Sequence, residues 1–262
     1  MNAINSRIIP IITYGMNITK FTQSEITSLE MTIKNVLRQN KMHSPQGSDE
    51  RLYLPRKKCG RGLKSVRDAY DETKIRIACY LFCSKDKWMK RVWERDLEKE
   101  NISISKEVTK AFSDIGSHLI IEKDKMEIDG ITLGQDYKKN NKILKRIYKT
   151  GKNKQRETNY CKKNMQSEIW KLNSKDGYQW LETGLNPEKT ASIFQMCEQM
   201  VETRHWKKVR GLQMDDKCRL CGKYIENVQH LLAGCEKLAG DEYLKRHNKA
   251  LSIFAFEIGK KS

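Results

Sequence analysis

The stretch that most limits how this chain can fold is Cys218–Cys235, CRLCGKYIENVQHLLAGC, in which Cys218, Cys221, His230 and Cys235 follow the pattern C-x2-C-x8-H-x4-C. Thiolate and imidazole are ligands that zinc favours, and four of them this close in sequence can close a tetrahedral site around one ion. The first pair brackets a short turn with Gly222 just after it. The second pair is expected on a helical segment, with Leu231 and Leu232 between. A module this small buries too little apolar surface to fold unaided, so a bound Zn2+ would supply its folding free energy. The alternative is three buried free thiols and a surface histidine, but free cysteines seldom cluster at such spacing.

Charge sets the next limit. The chain carries 51 Lys and Arg against 33 Asp and Glu, a net +18 over 262 residues. Such a surface favours polyanionic partners, with RNA and DNA first among them. The excess is concentrated in Tyr137–Lys163, where eleven residues are basic and one, Glu157, is acidic, so this segment alone contributes +10. Ile143, Leu144, Ile147 and Tyr148 give it a narrow apolar stripe at helical spacing, with an interruption expected around Gly151. A solvated helix face or a disordered basic linker is the bland reading of such a run. Against it, uncompensated charge on this scale repels itself, and phosphates relieve the repulsion. The candidate phosphate contacts are Lys138, Lys139, Lys142, Lys145, Arg146 and Lys149. The segment TRHWKKVRG adds Arg204, Lys207, Lys208 and Arg210, with Trp206 expected either to stack on a base or to seal the core of the metal module.

Membranes are the rival polyanion, but the sequence has neither a lipidation motif nor an apolar run of spanning length. The apolar stretch Ile8–Tyr14 contains Pro10 and is too short for the core of a signal peptide. The expected location is therefore the nucleus or the cytoplasm. There, the five cysteines outside the metal motif (Cys59, Cys79, Cys83, Cys161 and Cys197) are not expected to form a disulfide framework. Cys79 and Cys83, four apart on an expected helix, suit core packing.

Taken in order, the chain reads as mainly α. The first twenty residues are apolar, which suggests an upstream partner and a chain that is a piece of something longer. Thr22 and Glu25 form a capping box ahead of a helix whose buried face is expected to be Ile26, Leu29, Ile33, Val36 and Leu37. Arg51–Arg56 is expected to be extended and to end at Pro55, followed by a tight turn through Gly60 and Gly62. Two helices follow from Leu63 to about Glu100, broken at Ser84–Asp86, and another spans Ser103–Phe112. The best β signal is HLIIEKDKMEIDGITL, where Asp129-Gly130 is a hairpin-turn dipeptide between Ile128 and Ile131. Asn186-Pro187 opens a helix expected to bury Ile193, Met196, Cys197, Met200 and Val201, and an amphipathic helix closes the chain. The segment Met214-Asp215-Asp216 resembles a polymerase carboxylate pair. It lacks the apolar strands and the third aspartate that two-metal chemistry needs, so it is read as a surface turn.

Several stretches together resemble the C-terminal half of a non-LTR retrotransposon reverse transcriptase polyprotein, the group with a cysteine–histidine knuckle and a downstream restriction-like nuclease. They are IIPIITYGMN (8–17), the helix from Thr22, SDERLYLPRKKCGRGLKSVRDAYDETKIRIACY (48–80), EQMVETRHWKKVRGL (198–212) and CRLCGKYIENVQHLLAGCEKLAGDEYLKRHN (218–248). The motifs are specific as a set and weak singly. Where the family tends to show a double glycine, this chain has Cys59-Gly60.

The resemblance implies a thumb-like helical region over 1–100, a small β-hairpin and basic helical linker over 101–185, and a helix, a CCHC knuckle and a terminal helix over 186–262. It adds Arg51, Arg56 and Arg61 to the expected nucleic-acid contacts. The family's palm aspartates would precede Met1 and its nuclease residues would follow Ser262, so the expected function is noncatalytic. The chain would be a nucleic-acid-binding piece that grips template RNA and target DNA during target-primed reverse transcription. The alternatives are a zinc-stabilised protein-binding adaptor, or a remnant of an RNA-directed DNA polymerase without its palm.

Overall fold

The computed structural model describes residues 1–58, 60–100, 103–163, 186–198 and 200–259, and in these the chain is mainly helical with one small antiparallel sheet. Residues 164–185, the second half of the expected linker, and Cys59 lie outside the described residues. Two units separate: residues 1–43 with 48–186, and residues 44–47 with 187–262.

The first unit begins with a π-helical turn, Ile4–Ile8, that runs into α1 (Ile9–Ile18). Helix α2 (Gln23–Gln39) starts at the expected capping box: the Glu25 N–H donates to Thr22 Oγ1 at 3.3 Å, and the Thr22 N–H donates to Glu25 Oε2 at 2.7 Å. It buries Ile26 and Leu37, while Val36, one position off that face, is 47% exposed. The expected extended segment at Arg51–Arg56 is instead a short helix, α3 (Asp49–Tyr53), followed by a 3-10 turn at Arg56–Lys58. Asp49 and Glu50 in the first turn favour helix there through its dipole, and helical pitch is what carries Leu52 into the core. Gly60 is obligatory: a Cβ there would stand 1.9 Å from the Leu54 carbonyl oxygen.

Helix α4 (Val66–Cys83) is capped by Ser65 and is the axis of this unit. It ends where expected, and Asp86 caps α5 (Lys87–Glu98) by accepting the Trp88 and Met89 N–H groups at 2.8 and 3.0 Å. Of the two tryptophans on α5, Trp93 is buried and Trp88 lies out in solvent. Ser103 caps α6 (Ile104–Ser113), and the buried Asp96 carboxylate takes the Ile104 and Ser105 N–H groups, both at 2.9 Å. The sheet follows as β1 (Leu119–Ile121), β2 (Met126–Ile128) and β3 (Ile131–Leu133), in sequential antiparallel order. Ile128 pairs with Ile131 across a turn in which Asp129 and Gly130 both have positive φ, the geometry expected of Asp-Gly.

Helix α7 (Tyr137–Lys163) is continuous through Gly151. The glycine is there for packing, since a Cβ at 151 would lie 2.7 Å from Ile115 Cδ1. Leu144 and Tyr148 of α7 share one apolar core with Ile75, Phe82, Trp93, Phe112 and Met126. This core joins residues on both sides of position 100, so α7 is a core-packed helix and not a linker standing free.

The second unit holds α8 (Pro187–Cys197), α9 (Arg204–Val209), a π-helical turn His230–Gly234, a short α10 (Glu236–Leu238), a second π turn Ala239–Tyr243 and α11 (Leu244–Gly259). Helix α8 buries Ala191 and Phe194, whereas Met196, expected on the buried face, is 45% exposed. Among the described residues, no helix is long and apolar enough to cross a membrane.

Candidate metal centre and basic cleft

The metal motif folds as two arms that meet at the ligands. In the first arm, Lys217 bridges Ile225 and the Cys218 N–H donates to the Tyr224 carbonyl at 2.7 Å. The turn between them needs a left-handed residue, and Gly222, with φ +69°, supplies it. The same turn aims the Tyr224 and Lys223 N–H groups at Cys221 Sγ, which brings that thiol down to about 6. Cys218 is more deeply buried, and burial pushes its thiol up even as the Leu220 N–H reaches Sγ at 3.4 Å. In the second arm, Asn227 Oδ1 accepts the His230 N–H at 2.6 Å and starts the turn that carries the histidine. That turn ends before Cys235, whose backbone is extended and whose N–H donates to the Tyr243 hydroxyl at 3.0 Å.

The four ligand atoms lie within 4.8 Å of one another. Cys218 Sγ is 3.9 Å from Cys235 Sγ, and Cys221 Sγ is 3.4 Å from His230 Nε2. A tetrahedral ion bound at about 2.3 Å to sulfur and about 2.0 Å to nitrogen spaces its ligands by about 3.5–3.8 Å, so the cluster fits one metal ion and is compatible with zinc. Cys218, His230 and Cys235 are buried and Cys221 is half-buried. Four protein ligands leave no open coordination position, which is the arrangement of a structural site.

Glu226 ties this centre to α9. Its buried carboxylate accepts the Arg204 N–H at 3.0 Å, the Arg219 N–H at 2.8 Å and the Arg219 guanidinium at 2.8 Å. The aspartate pair of the Met-Asp-Asp segment is also engaged with α9. Asp215 holds Arg204 at 3.0 Å, and Asp216 holds Lys208 at 3.1 Å with His205 3.6 Å away. Of the four basic residues expected to meet phosphates here, Arg204 and Lys208 are therefore ion-paired. Lys207 is half-buried, and exposed Arg210 lies over the Trp206 ring at 4.9 Å. Trp206 is half-buried, with the cap residue of its own helix over its ring.

In the first unit, Arg51 is buried and its guanidinium donates to the Tyr160 hydroxyl while lying over that ring, so it joins α3 to α7 and is not offered to a ligand. Arg61 is half-buried against the Met42 carbonyl, and desolvation together with Arg56 lowers it to about 10. Arg56 is exposed. On α7, Lys138, Lys139, Lys142, Arg146 and Lys149 are exposed and Lys145 is half-buried.

Lys145 and Lys149 also line a cleft of about 620 Å3 among α1, α4 and α7. Of its other cations, sequence reasoning did not single out Lys64 and Arg76, whereas the basic segment expected to meet phosphates already includes Lys152 and Arg156. For the last two a signal was present: they continue the spacing of Lys145 and Lys149 along one helix face. Glu226 and Tyr243, which hold the two arms, carried no signal, because their partners lie 7 to 22 residues away and are brought to them by the fold.

No protein-family model matches the chain, and no curated protein or solved structure matches it. What fold and site define is a class: a mainly helical, strongly basic chain with a four-residue Cys/His cluster near its C-terminus that could hold one metal ion.

Proposed function

We propose that this chain is a noncatalytic nucleic-acid-binding protein whose C-terminal module is folded by one Zn2+, with the retrotransposon reverse transcriptase fragment as its specific form. The observation that supports it best is the ordered display of cations on α7. Leu144 and Tyr148 lock this helix into the core while Lys138, Lys139, Lys142, Arg146 and Lys149 stay in solvent. A fixed row of uncompensated cations suits the regular spacing of phosphates better than a solubilising surface would require. Zinc is the proposed ion because three thiolates and one imidazole in closed tetrahedral array favour it over magnesium or calcium, which take oxygen ligands. The engagement of Asp215 and Asp216 by α9 supports the noncatalytic reading, since both carboxylates already neutralise neighbouring cations.

Charge reversal at Lys138, Lys139, Lys142 and Lys145 tests the proposal. Binding of RNA and DNA oligonucleotides should fall by at least about tenfold, whereas a protein-binding adaptor would be indifferent to it in this assay. Magnesium-dependent primer extension by the purified chain, abolished by Asp215→Asn, would overturn the noncatalytic reading.

A further inference from the structure

The cleft among α1, α4 and α7 has the properties of a ligand site. Lys145, Lys149, Lys152 and Arg156 recur at intervals of four, three and four residues, so helical pitch sets them along one face. Lys64 lines the cleft from the loop just before the Ser65 cap of α4, and Arg76 from the middle of that helix. Two carboxylates, Asp68 and Glu72, also line it, leaving six cations against two anions. Arg156 is satisfied by Asp68 at 2.7 Å. Among the described residues, no carboxylate forms an ion pair with Lys64, Lys145, Lys149 or Lys152, and Lys152 acts on the Asp71 carboxyl from beyond ion-pair distance. Folding has therefore gathered like charges around one concavity, which is unfavourable unless an anion enters it.

The cleft is not purely ionic. Tyr14 of α1 lines it and is 70% exposed, so the ring offers a face to whatever enters. Asn153 adds an amide to the α7 wall, and Asn17 adds another that already accepts from Arg76. A volume of about 620 Å3 lies within the range of about 300–1,000 Å3 typical of clefts that enclose small ring systems. A duplex keeps its bases stacked and paired inside, whereas a single strand can splay a base onto an aromatic side chain while its phosphates follow a cationic groove.

We propose that this cleft holds a single-stranded segment of RNA or DNA, with phosphates on Lys64, Lys145, Lys149 and Lys152 and an unpaired base against Tyr14. The inference rests on the nucleic-acid reading above, and adds the site and the strandedness of what occupies it. The test uses the full chain and fluorescence anisotropy at low ionic strength, with short oligo(U), oligo(dT) and a blunt duplex as probes. Tyr14→Ala should weaken single-strand binding by about tenfold, within the range of one base–aromatic stack, while Tyr14→Phe keeps wild-type affinity. Lys64→Glu with Lys149→Glu should weaken both single strands more than Lys87→Glu with Lys90→Glu, an equal charge change on exposed residues of α5 outside the cleft. Circular dichroism melts of each variant separate misfolding from lost contacts, and the pair Tyr14→Ala and Tyr14→Phe keeps the test valid if a charge reversal unfolds. A wild-type chain that binds oligonucleotides while the Tyr14 and cleft-lysine variants match it overturns the cleft proposal alone. A wild-type chain that binds none of the probes overturns the nucleic-acid reading and the cleft with it.

Discussion

At the scale of single residues, two carboxylates carry more than their share. Glu226 accepts two backbone N–H groups and a guanidinium from a buried position, and so joins α9 to the first arm of the Cys/His cluster. Glu226→Ala would leave these donors unsatisfied at a cost of about 2–3 kcal/mol, read as a lower melting temperature and weaker metal retention. Asp49 is the second. The His43 imidazole at 3.4 Å, with Lys34 at 3.0 Å and Arg38 at 3.1 Å, holds its carboxyl far below the ordinary value of 3.8 against the opposing effect of burial. A depressed folded value means that the ionised form stabilises the fold above pH 3.8, and that this contribution is lost as pH falls below it. Asp49→Asn should therefore lower the melting temperature at neutral pH, and the gap to wild type should close in melts below pH 3.8. An unchanged gap in acid would contradict the assignment.

At the scale of elements, α7 decides the architecture of the first unit, and Gly151 shows how. An exposed helical glycine changed to alanine gains about 1 kcal/mol. Here the added methyl would meet Ile115 Cδ1 at 2.7 Å and Cβ at 2.9 Å, so Gly151→Ala should instead cost about 1–3 kcal/mol, measured by denaturant titration. Periodicity alone placed an interruption at this glycine, because sequence shows a missing side chain but not the neighbour that requires it. The same blindness explains α3, where a short apolar-basic run read as extended and helical pitch was chosen by the need to bury Leu52. Signals that are local in physics were legible. The Thr22–Glu25 box, the break at Ser84–Asp86 and the Asp129-Gly130 turn all depend on backbone groups a few residues away, and all are present. Buried faces were legible only to within one helical position, as Val36 and Met196 show.

At the scale of the whole molecule, the four candidate metal ligands could be read from spacing because a tetrahedral site would require it, and the structure brings all four together. The basic contacts could not be ranked the same way. Arg51, Arg204 and Lys208 are basic in sequence but already paired in the fold, while Lys64 gains its place only from the cleft it lines. Removing the metal with a chelator should unfold the second unit while leaving the α7 core of the first intact, seen as a partial loss of helical signal that added zinc restores. The central claim is that fixed cations on an ordered scaffold grip phosphates. It is tested most directly by the affinity of the zinc-loaded chain for a single-stranded oligonucleotide across a salt series. The account predicts a linear fall of log affinity with log salt, with a slope of about −3 or steeper, the signature of several phosphates released together. An affinity that stays level across the series would contradict it.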